Sequence, residues 1–365
     1  MLRQLSARLG GGRNALFLLA VLGLGLILVA DILLEGHVLD PLDYFFLFFG
    51  ITALFYALYP LYANRRLTAY YWERTQRNRL AVLGLAFIAF LALVALVGPL
   101  LIPDPTRVNF QEKDMPPLGI SYEQSVYDAS AGRIVSRVVT GTWKHPLGTD
   151  DKGRDLLAML VSGARVSLQV GLLATLMAIF IGTVLGVTSA YMGGKVDQVL
   201  MRFTDIMMTF PFFLLLVFII FIFGPSLAFI ILAIGLTGWT GTARLVRSDS
   251  LSLRTRDFIT ASRSLGASHR RIIFRHLIPN VMSAIIVITT LSIPAVILAE
   301  AALSFIGLGD PKVASWGQIL KAGQESLDTT WWVAVEPGIM LFLTVLAFNF
   351  FGDGLRDAFD PRSQV

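Results

Sequence analysis

The chain has no cysteine among its 365 residues. Disulfides, thiolate nucleophiles and cysteine-ligated metals are therefore excluded. Charge is scarce: Asp, Glu, Lys and Arg make up 15%, against roughly 25% in an ordinary soluble domain. The four histidines, His37, His145, His269 and His276, are scattered, and only the last two share a helical face, seven residues apart. They read as surface or structural histidines, not as a metal site. No glycine-rich phosphate loop ending in Gly-Lys-Ser/Thr occurs; "YMGGKVD" lacks both the spacing and the hydroxyl. A nucleophile elbow of the G-x-S-x-G kind and an H-E-x-x-H helix are missing too. The chain reads as a non-enzyme with no cofactor site of its own.

Apolar sequence is abundant: 55% of residues are hydrophobic and the mean hydropathy is +0.69. Runs near 15–34, 42–62, 80–102, 166–190, 206–223, 227–243, 280–299 and 333–351 approach or exceed the ~20 residues that a helix needs to cross a bilayer. None alternates as a barrel strand does. An all-α, polytopic membrane bundle of about eight transmembrane helices follows, because the bilayer tolerates only helices and closed barrels. The net charge of +5 reports the placement of arginines around spans and gives no reason to expect nucleic acid.

The arginines set the orientation. Arg3, Arg8 and Arg13 precede the first run, and Arg65, Arg66, Arg74, Arg77 and Arg79 follow the second, whereas the link holding Glu35, Asp40 and Asp43 is acidic. Both termini are expected in the cytoplasm, with cytoplasmic segments at 63–79, 191–205 and 244–279. This count needs 206–223 and 227–243 to be separate spans across Gly224, Pro225 and Ser226. The start resembles a signal peptide, but Leu28-Val29-Ala30 makes a poor cleavage site and an uncleaved anchor is expected. "RRLTAYYWERTQRNR" suits an amphipathic elbow at the membrane surface, against lipid, or a polar connector.

Between the third and fourth runs lie some sixty residues with Pro103, Pro105, Pro116, Pro117 and Gly119. A structureless loop of that length is uncommon, so a small elaboration outside the cytoplasm is expected. Its end, "HPLGTDDKGRDLLAML", reads as a turn with Thr149 or Asp150 capping a short helix that feeds the next span. Inside the spans ionisable groups are nearly absent; Asp205, Glu300 and Glu336 fall at expected ends, as boundary residues or relay carboxylates. A gradient-driven transporter would need such groups at mid-depth. Gly182-x-x-x-Gly186 suggests close helix packing, and Pro211 and Pro294 are candidate kinks.

The stretch "ASRSLGASHRRIIFRHLIPN", residues 261–280, is a basic island between apolar runs. Phe258, Ala261, Ser262 and Leu265 fall on one face of a helix starting near Asp257, with Arg256, Thr260 and Arg263 opposite. Gly266 stops that helix, and Ser268 caps a second one running into the seventh span up to Pro279. A rigid elbow of this kind suits docking of a partner.

The same stretch resembles the coupling segment of ABC importer permeases, whose pattern is Glu-Ala-Ala, three residues, Gly and, further on, an apolar residue followed by Pro. Thr260, Ala261, Ser262, Gly266, Ile278 and Pro279 stand at those positions, with Thr260, Ser262 and Ile278 replacing the family's Glu, second Ala and Leu. "HPLGTDDKGRD", "GARVSLQVGL", "GWTGTARLVRS", "EAALSFIGLG" and "LAFNFFGDGLRDAFDPR" resemble the C-type permease subunit of the dipeptide, oligopeptide and nickel importers, over roughly 74–362.

That resemblance implies a six-helix-type permease core at 156–354, preceded by an interfacial elbow and first core span at 64–102 and an outer loop at 103–155, and followed by a tail at 355–365. An extra N-terminal hairpin at 1–63 falls outside it. It implies a second, similar permease, two cytoplasmic ATPases that bind ATP and Mg, and an external solute-binding protein, in a prokaryotic inner membrane. Asp257, Thr260, Ala261, Ser262, Arg263, Gly266, Ala267, Ile278 and Pro279 would couple the ATPases to transport through the 255–279 elbow. "ALSFIGLG" and "SWGQIL" would face outward, as a gate or as a packed re-entrant segment. The alternatives are a gradient-driven transporter, or a membrane receptor that docks a signalling protein.

Overall fold

The computed structural model describes residues 20–25, 65–102, 104–128 and 133–359. The runs expected at 15–34 and 42–62, with the hairpin they would form, lie outside the described residues apart from 20–25. Two compact units divide the chain, 1–78 and 79–365. In the first, α1 (Arg65–Arg77) ends with Arg74 and Arg77 in its last turn, where cations favour the negative end of the helix dipole. The Arg74 guanidinium lies 4.5 Å from the Tyr70 ring centroid.

The second unit holds α2 (Arg79–Leu101), a hairpin of β1 (Ser121–Asp128) and β2 (Arg133–Thr140), α3 (Leu156–Met192), α4 (Gly194–Thr209), α5 (Phe212–Phe223), α6 (Leu227–Thr237) and α7 (Thr240–Arg254). Then come α8 (Asp257–Ser264), α9 (His269–Ile272), α10 (Ile278–Leu303), α11 (Trp316–Glu325) and α12 (Trp332–Phe359). Among the described residues five helical stretches are long and apolar enough to cross a membrane, six if α4 and α5 form one broken span. That pair bends by 81° at Pro211, whose ring cannot continue the preceding helix. Pro294, by contrast, is carried inside an unbroken α10.

The 37-residue α3 is the axis of the bundle. At 1.5 Å per residue it runs for roughly 55 Å, well beyond a hydrocarbon core of about 30 Å. The helix is therefore too long to lie wholly within the bilayer interior, and each of its ends carries a folded attachment. The α3–α7 contact is backbone-close: a Cβ on Gly182 would lie 2.7 Å from the Trp239 carbonyl oxygen, and one on Gly186 2.5 Å from that of Ala243. The small-residue spacing has this physical use.

At the N-terminal end of α3 sits the 104–155 segment. It holds a two-stranded hairpin, β1 and β2 pairing antiparallel from Ser121↔Thr140 to Asp128↔Arg133, within an otherwise helical fold. Residues 145–155 stitch this segment down. The Thr149 Oγ1 donates to the Glu112 carbonyl and accepts from the Met115 N–H, the Tyr122 hydroxyl donates to the Asp114 carbonyl, and the Trp332 Nε1 donates to the Thr149 carbonyl at 3.1 Å. Neither Thr149 nor Asp150 caps a helix. Asp155 does, accepting from the Ala158 N–H at 2.9 Å, and the helix it opens is the span itself, not a short feeder. Asp150 instead accepts from the Lys152 and Arg154 N–H groups and the Arg154 Nε, tightening the turn before the cap.

The segment after α10 packs inward. A π-type turn, Ser304–Leu308, holds Gly307 at φ 92°, and α11 then lays Trp316 against α3, its Nε1 donating to the Leu160 carbonyl at 3.0 Å. Glu300, in the last turn of α10, is fully buried and accepts from the Ser304 hydroxyl at 2.7 Å. Asp205 is exposed and pairs with Arg244 at 2.6 Å.

Candidate functional site

The other end of α3 carries the 255–279 elbow. α8 begins after Arg256 with Asp257 in its first turn, where a carboxylate favours the positive end of the dipole. It stops by a paired backbone motif: the Gly266 N–H donates to the Arg263 carbonyl at 3.0 Å and the Ala267 N–H to that of Ser262 at 3.1 Å. This closure requires a left-handed residue after the last helical turn, and Gly266 has φ 76°. Open space surrounds it, with no atom within 4 Å of where a Cβ would stand. Glycine is needed here for its backbone alone.

Ser268 then opens α9, accepting from the Arg271 N–H at 3.4 Å. The second helix does not end at Pro279. It passes through a π-type turn, Ile273–Leu277, into α10. Pro279 has no N–H to give, and its ring crowds the carbonyl four residues back; the wider turn just before it makes room. The Ile278 N–H donates to the Ile273 carbonyl, five residues back, and the Asn280 side chain donates to that of His276.

Apolar burial holds the elbow to the body. Ile259, Ile272 and Leu277 are 0% exposed, in one cluster with Val187, Tyr191, Val246 and Leu253. Each such side chain contributes about 1.5–3 kcal/mol on burial. Polar contacts fix the angle: the Tyr191 hydroxyl meets the His269 Nδ1 at 2.8 Å, and the Arg263 guanidinium lies 5.5 Å from the Tyr191 ring centroid. The Arg254 guanidinium donates to the Ala190 carbonyl at 3.0 Å, tying the end of α7 to the end of α3. Beside it Arg247 grips Asp197 with two bonds of 2.6 Å.

The expected site residues thus divide. Ser262 (its hydroxyl 3.3 Å from the His276 Nε2), Ala267 and Ile278 face the body. Asp257, Thr260, Ala261, Gly266 and Pro279 are exposed, and Arg263, though exposed, reaches Tyr191. The apolar stripe is rotated from its expected role. Ile259 is the anchor, whereas Leu265 is 88% exposed and Phe258, 39% exposed, lies with its ring centroid 6.4 Å from that of His276. Around them Arg256, Arg270, Arg271 and Arg275 are exposed, with Asp257 the lone carboxylate of 256–280. Sequence reasoning passed over Ile259, Ile272, Leu277, Tyr191 and Arg254. Ile272 and Leu277, five apart, do not share a face of an ordinary α-helix and are both buried only because a π-type turn lies between them; for Tyr191, 78 residues away in sequence from His269, there was no signal either.

The family model described as "Binding-protein-dependent transport system inner membrane component" matches residues 157–365, and that described as "N-terminal TM domain of oligopeptide transport permease C" matches 66–117. The oligopeptide transport system permease protein OppC of Haemophilus influenzae is 37% identical over 293 residues, 80% of this chain and 88% of that protein. The dipeptide transport system permease protein DppC of Bacillus subtilis is 37% identical over 294 residues, 80% of this chain and 84% of that one. A solved inward facing MetNI methionine ABC transporter aligns with 56% of this chain and 98% of its own at 22% identity, with a TM-score of 0.48.

Proposed function

The chain belongs to the inner-membrane components of binding-protein-dependent transport systems, as a permease of the oligopeptide and dipeptide group, and from that premise we propose how it couples peptide import to ATP hydrolysis. The elbow at 255–279 is the docking knob for a cytoplasmic ATPase. A second, similar permease completes the pathway, a second ATPase docks on that partner, and an external binding protein delivers the peptide. ATP and Mg reside on the ATPases, and both termini of this chain face the cytoplasm with them. The chain is organised as an extra hairpin at 1–63, an elbow and first core span at 64–102, an outer segment at 103–155, the core at 156–354 and a tail at 355–365.

One observation carries the reading. The inner side of the elbow is fixed by three fully buried side chains while its outer side leaves Phe258 and Leu265 uncovered amid arginines. ATPase closure is a rigid-body motion, and a knob anchored on the far end of α3 transmits it to the span without bending. Inserting Leu265, 88% exposed, into a pocket of the ATPase contributes about 1.5–3 kcal/mol, and Phe258, 39% exposed, contributes less.

The test is affinity purification of the tagged chain from its native membrane, beside a Leu265→Glu variant, with ATP hydrolysis measured. The expected result is copurification of ATPase chains and a second permease with the native chain, and loss of the ATPases but not the permease with the variant. A chain that purifies alone after a mild extraction, or a variant that keeps its ATPases, sinks the docking role.

A further inference from the structure

His145 is buried, 8% exposed, where the 104–155 segment meets the start of α3. Both of its ring nitrogens face carboxylates. The Nδ1 lies 2.6 Å from the Asp155 Oδ2, and the Nε2 lies 3.2 Å from the Glu112 Oε2. A neutral imidazole has one N–H and one lone pair, so it bonds only one of two ionised carboxylates and turns its lone pair toward the other. Making both bonds takes one more proton, held by the three groups together.

Each partner is fixed by a second task. Asp155 divides its oxygens: Oδ1 accepts from the Ala158 N–H and caps α3, which leaves Oδ2 to the imidazole. Glu112 ends a short 3-10 turn, Phe110–Glu112; its Oε1 accepts from the Lys144 ammonium, and its Oε2 also accepts from the Asn109 side chain at 2.8 Å. Among the described residues the other charged groups around the ring are Lys144, Arg107 and Asp104, which line one cavity of about 240 Å³ with it. Asp104 is already engaged, accepting from the Thr106 N–H and hydroxyl at 2.8 and 2.7 Å. No other histidine occurs within 104–155.

We infer that His145 is a proton-dependent latch and the positioning residue of the Asp155 cap: with the extra proton it ties the turn at Glu112 to the first turn of α3, and without it one tie is lost. A proton bound more tightly in the folded state stabilises that state at low pH, and the contribution disappears as pH rises. The latch therefore opens on the alkaline side. With 103–155 outside the cell, as proposed above, it responds to external pH and not to that of the cytoplasm.

The experiment is hydrogen exchange on the full chain purified with its partners, reading protection factors over 104–160 referred to free-amide rates at each pH. The range runs from about pH 6 to about pH 9, across the region where imidazoles titrate. Native protection should fall roughly tenfold over it, the weight of one buried hydrogen bond to a charged group. Asp155→Asn discriminates a latch from ordinary packing. Asparagine caps a helix as well as aspartate does, and its amide can donate to the Nδ1 lone pair of a neutral ring whose Nε2–H bonds Glu112. Protection in this variant should stay nearly level with pH. His145→Gln, which cannot titrate, should be level too, at a lower value. A native profile without the fall overturns the inference, as does either variant if it keeps the fall; the Asp114 carboxyl, which burial raises and both variants leave in place, would then be its source.

Discussion

Gly266 offers a test in which conformation and size pull in opposite directions. Its φ of 76° lies in the left-handed region, and nothing occupies the 4 Å around a Cβ placed on it. A substituent meets no neighbour in this chain, so only the backbone term remains. For an ordinary L-residue that term is about 1–2 kcal/mol, a factor of roughly 5–30 in an equilibrium constant. Asparagine visits this region readily, because its short polar side chain can bond locally. Gly266→Asn, the larger change, should therefore be nearly silent, Gly266→Ala should weaken the turn by that factor, and Gly266→Val should weaken it more. Two assays read it. Hydrogen exchange over 257–277 in the purified complex reports the bonds from the Leu265, Gly266 and Ala267 amides, and peptide taken up per ATP hydrolysed reports coupling. Exchange should be fastest and coupling poorest in Val, then Ala, with Asn close to native. Equal losses in Asn and Ala, or a native-like Ala variant, would refute the reasoning. Gly266→Asp also tolerates the left-handed turn, so any uncoupling it shows comes from a carboxylate on the docking face.

Removing the Tyr191 hydroxyl breaks its 2.8 Å contact with His269; Tyr191→Phe should cost about 1 kcal/mol and raise exchange in 257–277 without altering membrane insertion. Gly186→Val forces a side chain onto the Ala243 carbonyl, 2.5 Å from the Cβ position, so the purified yield of folded complex should fall sharply, an overpacking penalty of about 1–3 kcal/mol or more; an unchanged yield and melting curve would show that the α3–α7 contact can open freely. In the outer segment, the bond from Lys144 holds the Glu112 carboxyl below its ordinary value of 4.5, against partial burial and with help from His145. A depressed carboxylate stabilises the fold fully above its unfolded value and loses that contribution as pH falls through the lower, folded one. Burial raises the Asp114 carboxyl instead, so its effect has the opposite sign: stability declines as pH rises from 3.8 through the folded value. Glu112→Gln should therefore flatten the fall in protection factors over 104–155 below about pH 4.5, with exchange referred to free-amide rates at each pH; a native-like limb in the variant would contradict the assignment.

The order of the core spans was legible because bilayer thickness imposes a length on apolar runs, and the elbow was legible because Asp257, Gly266 and Ser268 each act through backbone geometry within a few residues. The fit of Gly182 and Gly186 to α7 was signalled by spacing alone. Local rules failed where partners came from afar. Thr149 and Asp150 look like caps in isolation, and become loop ties only because Glu112, Met115 and Trp332 arrive beside them. Pro279 looks like a stop, and is passed because a π-type turn makes room for its ring.

The sequence by itself determined a helical membrane permease with a basic, glycine-broken elbow, since hydropathy, glycine and proline act over short range. Which side of the elbow is buried was decided by tertiary structure: Ile259, one position from Phe258, became the anchor because the end of α3 presents Val187 and Tyr191 to it.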